Sequence, residues 1–285
     1  MEERATVLFS TGLQSIQALL QKQNPSLSRV SYIIPLYNQG ETLFSAVHAC
    51  HLSYCGPKEV IIINDGSTAP KTDIYLAEIQ EYFPETLIHS QGNKKLPGAR
   101  NAGIKLATGD FIQFLDADDL LLPGKVTYQV AHLLAIPHLD ISITDWSIFD
   151  VMKGQFEEHG TPLDSWSFSL KDFLFHWERG LTIPIHAPLF RARCVKEVLF
   201  EEGLYGKEDW IFWCSLAAAK IRMGWIDLPG AIYRIHPNMM TRSQKKQMAE
   251  CFIQASDILA ERYGKLFPDF QSATKNWYKI SYLST

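Results

Sequence analysis

The segment Glu59-Val-Ile-Ile-Ile-Asn-Asp65 decides the fold class of this sequence. Its four central residues, Val60 to Ile63, are apolar and β-branched, which favours an extended strand over a helix. A strand without polar alternation is buried on both faces, as are the strands of a parallel sheet covered by helices. The segment ends at Gly66-Ser67, a dipeptide typical of a tight turn. The sequence therefore predicts a buried strand of a parallel sheet here.

Similar segments recur on both sides of this strand, with helical patterns between them. Apolar strand-like runs lie at 30–35, 86–89, 110–115 and 140–144. Apolar residues recur at helical spacing over 41–54, 72–82, 98–107 and 123–135. Such an alternation predicts βαβ units with right-handed crossovers. We therefore expect an α/β fold with a mainly parallel central sheet flanked by helices.

The composition excludes several classes of protein. Of the 285 residues 46% are hydrophobic and 20% charged, unlike a disordered or fibrous protein. With 27 basic and 31 acidic residues, the net charge of −4 argues against a nucleic-acid partner. No apolar run approaches the ~20 residues that cross a bilayer, so we expect no transmembrane span. Five scattered cysteines make no disulfide framework. We expect a cytoplasmic protein with at most peripheral contact with the inner face of the cell membrane.

Polar residues follow three of the predicted strands where each strand ends. These endings are Pro35-Leu-Tyr-Asn38, Asn64-Asp-Gly-Ser67 and Leu115-Asp-Ala-Asp-Asp119. In α/β sheets, ligands collect outside the carboxyl ends of the strands. An ordinary turn would explain any one of these endings. Three of them at one sheet edge predict a ligand site.

The strongest single signal is Asp116-Ala-Asp118. Residues two apart on an extended segment point the same way, so both carboxylates can face one Mg²⁺ or Mn²⁺ ion. These hard cations prefer oxygen ligands and are often shared with substrate phosphates. The alternative is a solvated turn in which Asp119 caps the helix that begins near Pro123.

Five segments together resemble glycosyltransferase family 2, a group of GT-A-fold inverting enzymes that use nucleotide-diphosphate sugars. In the family's order and spacing, they are Ile34-Pro-Leu-Tyr-Asn38, Ile63-Asn-Asp-Gly-Ser67, Gly98-Ala-Arg-Asn-Ala-Gly103, Phe114-Leu-Asp-Ala-Asp-Asp119 and Gly206-Lys-Glu-Asp-Trp210. The resemblance covers about 30 to 240. Processive members also carry a Gln-x-x-Arg-Trp motif and membrane spans. This chain has neither, which implies an enzyme that adds a single sugar.

The resemblance implies a role for each matching residue. The residues of the donor site would be Pro35, Tyr37, Asn38, Asp65, Arg100, Asp116, Ala117 and Asp118. Within this set Asp116 and Asp118 would hold the metal and the diphosphate. Asp209 would be the catalytic base, and His236 would join the metal site.

Four of these residues also have a plainer explanation. Asp65 could have only a structural role, in a turn. Alternatively, its carboxylate can accept the imide N–H of uracil, which favours a UDP donor. Arg100 could face the diphosphate, hold an aspartate of the metal motif, or form a plain salt bridge. Asp209 opens an apolar helix, where the helix dipole alone favours a carboxylate. His236 could be a structural histidine.

The resemblance also implies how the chain is divided. Residues 29–240 would be the GT-A domain, with a nucleotide-binding half at 29–149 and an acceptor half at 150–240. Apolar residues at helical spacing predict an N-terminal helical extension at 1–28 and a C-terminal helical extension at 241–285.

We therefore predict a metal-dependent, inverting glycosyltransferase. It would move one sugar from a nucleotide-diphosphate donor, here a UDP-sugar, to a hydroxyl of a glycan or lipid-linked glycan, in polysaccharide or glycoconjugate synthesis. One alternative is a nucleotidyltransferase, which would need a Gly-rich, Arg-containing loop after the first strand. Residues 36–40 hold one glycine and no arginine. The other alternative is an inactive module that binds sugar nucleotides.

Overall fold

A computed structural model of the protein describes residues 28–157, 161–237, 239 and 244–278. Apart from Ser28, the expected N-terminal extension lies outside the described residues. In chain order, the strands β1 to β9 are Val30–Leu36, Lys58–Asp65, Leu87–Gln91, Phe111–Phe114, Leu120–Leu121, Ile141–Asp150, Gln155–Glu157, Pro188–Arg191 and Met223–Ile235. The helices α1 to α9 are Gly40–Ser53, Thr72–Tyr82, Lys95–Leu106, Lys125–Ala135, Leu170–His176, Ala192–Glu197, Glu208–Ala218, Lys245–Tyr263 and Phe270–Tyr278.

The strands of the first half form the parallel sheet that the sequence predicts. β3, β2, β1 and β4 lie side by side and pair in parallel, with Ile33 opposite both Ile61 and Phe114. Every residue of β1 is buried, as expected for a strand with helices on both faces. Because the strands run the same way, their carboxyl ends meet at one edge. The polar endings after β1, β2 and β4 therefore lie together.

The second half extends the same sheet with mixed pairing. β8 lies antiparallel to β4 on one side and to β6 on the other, and β9 runs parallel to β6. The described strands thus form one nine-stranded sheet, and the predicted α/β architecture is confirmed. The sequence pattern predicts no strand at β8 or β9 and ends β6 at Thr144, whereas β6 continues to Asp150.

The C-terminal helices α8 and α9 pack on helix α7. The ring of Trp210 on α7 stacks on Phe252 of α8 at 5.3 Å between centroids, and it meets Phe270 of α9 at 6.0 Å. Rings of this size exclude much apolar surface from water and prefer stacked or edge-on contacts at such distances. Both C-terminal helices therefore brace α7, which begins at Glu208. Among the described helices, none is long and apolar enough to cross a membrane.

Candidate active site

The loops after β1 and β2 are tied to each other by Asn38. Its side-chain oxygen accepts the backbone N–H groups of Thr68 and Ala69, each at 2.8 Å. Its own N–H donates to the hydroxyl of Ser67 at 3.0 Å. Asn38 also has a φ of 59°, a left-handed conformation that asparagine tolerates better than most residues. Its side chain thus shapes this edge of the site.

Asp65 is the buried last residue of β2, and one of its two carboxylate oxygens already accepts hydrogen bonds. Its Oδ1 accepts the side chain of Gln91 at 2.7 Å and the N–H of Lys94 at 2.9 Å. Within the described residues, no hydrogen bond reaches its Oδ2, which is left to accept a ligand N–H. Of the other donor-site candidates, Pro35 is buried in β1, whereas Tyr37 is 48% exposed and can pack against a ligand.

Arg100 joins two acidic segments that are far apart in sequence. Its guanidinium donates to both oxygens of Asp116, at 2.8 and 3.0 Å, and to Glu208 at 2.8 Å. The arginine side chain is 2% exposed and that of Glu208 is 6% exposed. A guanidinium at full burial needs such partners, because an unpaired charge there is strongly destabilising. Of the three roles open to Arg100, the geometry favours holding Asp116.

The side chain of Asp118 has partners other than Arg100. Its Oδ2 accepts the Gln39 side-chain amide at 2.9 Å and lies 3.1 Å from Nε2 of His236. Arg234 donates from Nε to the Asp118 carbonyl. The side chains of Asp118 and His236 are each about one-fifth exposed, so a ligand can reach both.

The premise of an extended Asp116-Ala117-Asp118 segment is wrong. The N–H of Asp119 donates to the carbonyl of Asp116 at 3.0 Å, which closes a turn around the buried Ala117. The two carboxylates therefore have different partners, Arg100 for Asp116 and Gln39 for Asp118. Among the described residues, no three His, Cys, Asp or Glu side chains form a ready-made metal centre.

Asp119 is a buried anchor, and the alternative in which it caps a helix is wrong. Its Oδ2 lies 3.0 Å from Nδ1 of His186, and its Oδ1 accepts the N–H of Arg234 at 2.8 Å. Helix α4 instead begins after Gly124, without a side-chain cap. Burial raises the pKa of Asp119, while His186 opposes this shift. Asp119 therefore pins the end of β9, and with it His236, beside the turn that carries Asp118.

Asp209 lies in the first turn of α7, half-buried. Its Oδ1 accepts the N–H of Trp210 at 2.8 Å. Burial and, after it, repulsion from Glu208 raise the pKa of Asp209 to about 7, against an opposing effect of Lys207. A carboxyl with a pKa near neutrality is a suitable general base, because it is partly ionised yet still basic enough to take a proton.

Four partner residues were missed by the sequence reading. Gln39 follows the first strand's motif directly, and Glu208 precedes Asp209, so position next to a motif could have indicated both. His186 and Glu178 lie in segments without a recognisable pattern. Their roles depend on contacts with Asp119 and Lys207, which are distant in sequence.

The chain is similar to several known proteins. A family model described as glycosyl transferase family 2 matches residues 31–192. The chain is 26% identical over 234 residues to the UDP-Glc:alpha-D-GlcNAc-diphosphoundecaprenol beta-1,3-glucosyltransferase WfaP of Escherichia coli, covering 81% of this chain and 85% of WfaP. Uncharacterized glycosyltransferases of Escherichia coli K12 and Rickettsia bellii are 39% and 30% identical over 42% and 77% of this chain. The chain spans about a third of the length of these two relatives.

Two solved structures share the fold. TarS of S. aureus, in complex with UDP-GlcNAc, superposes with a TM-score of 0.60 at 17% identity, over 81% of this chain and 66% of that one. The mannosyltransferase PcManGT of Pyrobaculum calidifontis, in complex with GDP-Man and Mn²⁺, has a TM-score of 0.60 at 16% identity, over 94% and 75%.

Proposed function

We propose a reaction for this chain from the premise that it belongs to glycosyl transferase family 2 and has a GT-A-like fold. It is a glycosyltransferase, and the proposal concerns what it transfers and how. In the proposed reaction, a single sugar moves from a UDP-sugar to a hydroxyl acceptor, with inversion at the anomeric carbon. The family match favours this reaction over nucleotidyl transfer.

The observation that carries the proposal is the bridge made by Arg100. Its guanidinium binds Asp116 of the proposed diphosphate motif and Glu208, the residue before the proposed base. A donor's leaving group and an acceptor's proton must be handled on opposite sides of one reacting carbon. Because Arg100 joins the two acidic segments rigidly, it would fix the distance between the groups that act on the leaving group and those that act on the acceptor.

The donor is proposed to be a UDP-sugar. The unused Oδ2 of the buried Asp65 is suited to accept the imide N–H of uracil. Tyr37, at the end of β1, is exposed enough to pack against the base or ribose. The name of WfaP and the ligand of TarS both point to UDP-sugars, whereas PcManGT was solved with GDP-Man. The choice of base is therefore open to direct test.

The described residues fit a divalent cation, Mn²⁺ or Mg²⁺. Asp118 and His236 converge within 3.1 Å at an accessible position, and such ions bind through one or two protein groups together with substrate phosphates. Asp116 keeps lone pairs beyond those that Arg100 uses, so it can add a further oxygen. When bound, the cation would supply charge neutralisation for the leaving diphosphate.

Asp209 is proposed to accept the proton of the attacking hydroxyl. Other carboxylates around the site are engaged within the described part of the chain, as Asp116 and Glu208 are by Arg100 and Glu178 is by Lys207. In this proposal Asp116 and Asp118 hold the cation and Asp65 binds the nucleotide base, so no further carboxylate is assigned to attack the sugar. One base and one in-line displacement invert the anomeric carbon.

The acceptor is proposed to be a glycan or a lipid-linked glycan, in polysaccharide or glycoconjugate synthesis. The name of WfaP, whose length this chain largely covers, supports a polyprenyl diphosphate-linked sugar. We place the reaction in the cytoplasm, at the inner face of the membrane where such an acceptor would be presented.

The test is a donor screen by thermal unfolding, with UDP-, GDP- and dTDP-hexoses, each with and without Mn²⁺. A UDP-sugar at ~100 times its dissociation constant should stabilise the protein by about 2.7 kcal/mol, and only with the metal. Transfer from the selected donor to a synthetic polyprenyl diphosphate-GlcNAc then measures activity. Equal stabilisation by all three donors, or the lack of any transfer, would contradict the proposal.

A further inference from the structure

A histidine outside every motif of the sequence, His186, lies buried beside the proposed cation site. It precedes β8, and because β8 is antiparallel to β4, the start of β8 lies at the edge of the sheet where β4 ends. The side chain of His186 is 1% exposed, and its Nδ1 lies 3.0 Å from Oδ2 of Asp119. Within the described residues, no hydrogen-bond partner reaches its Nε2. The imidazole is therefore hydrogen-bonded there through Nδ1 alone.

A continuous series of contacts joins His186 to the residues proposed to hold the cation. The other oxygen of Asp119, Oδ1, accepts the backbone N–H of Arg234 at 2.8 Å. Arg234 also donates from Nε to the carbonyl of Asp118. Two residues after Arg234, Nε2 of His236 lies 3.1 Å from Oδ2 of Asp118. The hydrogen bond of His186 thus fixes the carboxylate that holds the end of β9.

Two buried polar side chains hold the backbone of His186. Its carbonyl accepts the ammonium of Lys125 at 2.7 Å and the side-chain amide of Gln113 at 3.0 Å. Lys125 also donates to Oε1 of Gln113 at 2.6 Å. Lys125 is 1% exposed, and no carboxylate of the described residues pairs with it. Because a charge buried without a carboxylate partner destabilises a fold, this arrangement points to a backbone position that must be kept.

We propose that His186 is a positioning residue for the cation site, which holds Asp119 through Nδ1 and thereby keeps His236 opposite Asp118. This inference rests on the cation proposed for that site. Hydrogen-bonded partners orient the ligands of metal sites, and changing one of them weakens metal binding by roughly 10- to 100-fold. A merely structural histidine would contribute packing, here against the ring of Tyr233 at 5.9 Å between centroids. The first role needs a hydrogen bond at position 186, whereas the second needs a ring.

The test compares His186→Asn with His186→Leu. Both changes remove the ring that stacks on Tyr233, but asparagine can donate an amide N–H from nearly the position of Nδ1, whereas leucine cannot. Calorimetry measures the affinity for UDP with and without Mn²⁺. We expect His186→Leu to weaken the affinity in Mn²⁺ roughly 10-fold and to leave the affinity without metal unchanged. His186→Asn should keep most of the affinity in Mn²⁺.

His132→Leu is the matched control. His132 is also fully buried, its Nδ1 lies 2.9 Å from the hydroxyl of Ser142, and its Nε2 has no hydrogen-bond partner among the described residues. That hydrogen bond does not involve the residues of the cation site. The control should therefore leave the affinity for UDP unchanged in both conditions.

The Asp118→Ala background separates an effect on the cation site from a general disturbance of the fold. If His186 acts through this site, His186→Leu should weaken the affinity in Mn²⁺ no further once Asp118 is removed. A general disturbance would weaken it by the same factor in both backgrounds.

Thermal unfolding shows whether each variant is folded. Should His186→Leu not unfold cooperatively, Lys125→Met takes its place, because it withdraws the bond to the His186 carbonyl and removes a buried charge without leaving an opposite charge unpaired. It should weaken the affinity in Mn²⁺. Lys58→Met, in which the lost ammonium bound the carbonyl of His51 at 3.2 Å, should not.

A loss of metal-dependent affinity in His186→Leu that His186→Asn largely avoids would support the proposal. Equal losses in the two variants would assign the effect to the ring, and no loss in either would equally overturn the proposal, as would unchanged affinity in Lys125→Met where that variant is used. Unchanged affinity in Asp118→Ala would contradict the proposed cation site, and this inference with it. A loss in Asp118→Ala without one in His186→Leu would overturn the inference alone.

Discussion

Arg100 links two groups of carboxylates, Asp116 with Asp118 and Glu208 with Asp209. The two groups, here called centres, differ in their hydrogen-bond partners. On the donor side, Asp116 takes two hydrogen bonds from Arg100, and Asp118 takes one from Gln39. On the acceptor side, Asp209 takes one hydrogen bond from the next backbone N–H, and no cationic side chain donates to it in the described part of the chain. The first centre is rich in donors that favour ionised oxygens, whereas the second is half-buried without them.

The comparison shows that aspartates within one site can have contrasting hydrogen-bond partners, and each set of partners suits a different proposed role. Hydrogen-bond donors hold Asp116 and Asp118 in place, and in the proposal their oxygens would bind a cation that in turn binds the diphosphate. Burial and the neighbouring Glu208 make Asp209 hold a proton more readily than an ordinary carboxyl. In the proposed reaction, the first centre would bind the cation and the second would accept the proton of the acceptor.

Breaking the acceptor side should have the largest effect. Asp209→Asn keeps the shape and removes the proton acceptor, so kcat should fall by roughly 10²- to 10⁴-fold, the usual contribution of a general base. Affinity for UDP with Mn²⁺, measured by calorimetry, should stay unchanged. Asp227→Asn, at an exposed position of β9, is the control. A near-normal kcat in Asp209→Asn would mean that Asp209 only stabilises the start of its helix.

Removing the tie between the two centres should reduce stability. Arg100→Met leaves Glu208 as a buried, unpaired charge, which should lower the free energy of unfolding by about 3–5 kcal/mol in urea titrations at pH 7. Arg193→Met breaks an ion pair with Asp140 in which the arginine is 60% exposed, and should change it by less than about 1 kcal/mol. Similar losses of unfolding free energy in the two variants would mean that the ion pairs of Arg100 stabilise the fold no more than an exposed ion pair does.

Breaking the donor side should weaken binding without unfolding the chain. Asp118→Ala removes one accessible carboxylate, so UDP affinity in the presence of Mn²⁺ should drop by roughly 10- to 100-fold, equivalent to about 1.4–2.7 kcal/mol. Without metal, the variant and the unaltered protein should bind UDP equally. Calorimetry measures both conditions. Undiminished metal-dependent affinity would show that the metal lies elsewhere.

A further effect is a pH dependence of stability that comes from Asp209. Because its folded-state pKa is raised to about 7, the native chain holds a proton that the unfolded chain releases above about pH 4. Stability from this group is therefore lost as pH rises from about 4 to 7. Relative to the unaltered protein, Asp209→Asn should gain melting temperature between pH 5 and 8, whereas Asp227→Asn should not. A difference in melting temperature between Asp209→Asn and the unaltered protein that is the same at pH 5 and at pH 8 would contradict the raised pKa of Asp209.

The regular half of the fold was predictable because its signal is local. The β-branched run at Val60 to Ile63 and the alternation around it predict β1 to β4, and the structure contains them. β9 was not predicted because Pro229 and Gly230 interrupt its pattern. The sheet accommodates these two residues through a register shift opposite Asp145. A strand with a bulge at proline and glycine has no clean periodicity to detect.

The candidate site was predictable only where the motifs themselves supply the side chains. Asp118 and His236 lie 118 positions apart, yet both follow strand ends and meet at 3.1 Å. The sequence left open whether Asp116 to Asp118 are extended or form a turn, and the spacing of the motif does not show the bond between Asp116 and Arg100. The protonation of Asp209 depends on burial and on Glu178, which only the folded chain brings near.

The most direct test of this account is the anomeric configuration of the product. With one base and a leaving group stabilised from the other side, an α-linked UDP-hexose should give a β-glycoside in a single displacement. Retention would need a second carboxylate to attack the anomeric carbon, as in retaining glycosidases. Proton NMR of the isolated product measures the coupling of the anomeric proton. A β-glycoside is the predicted result, and an α-glycoside from the α-donor would contradict the division of tasks between the two centres.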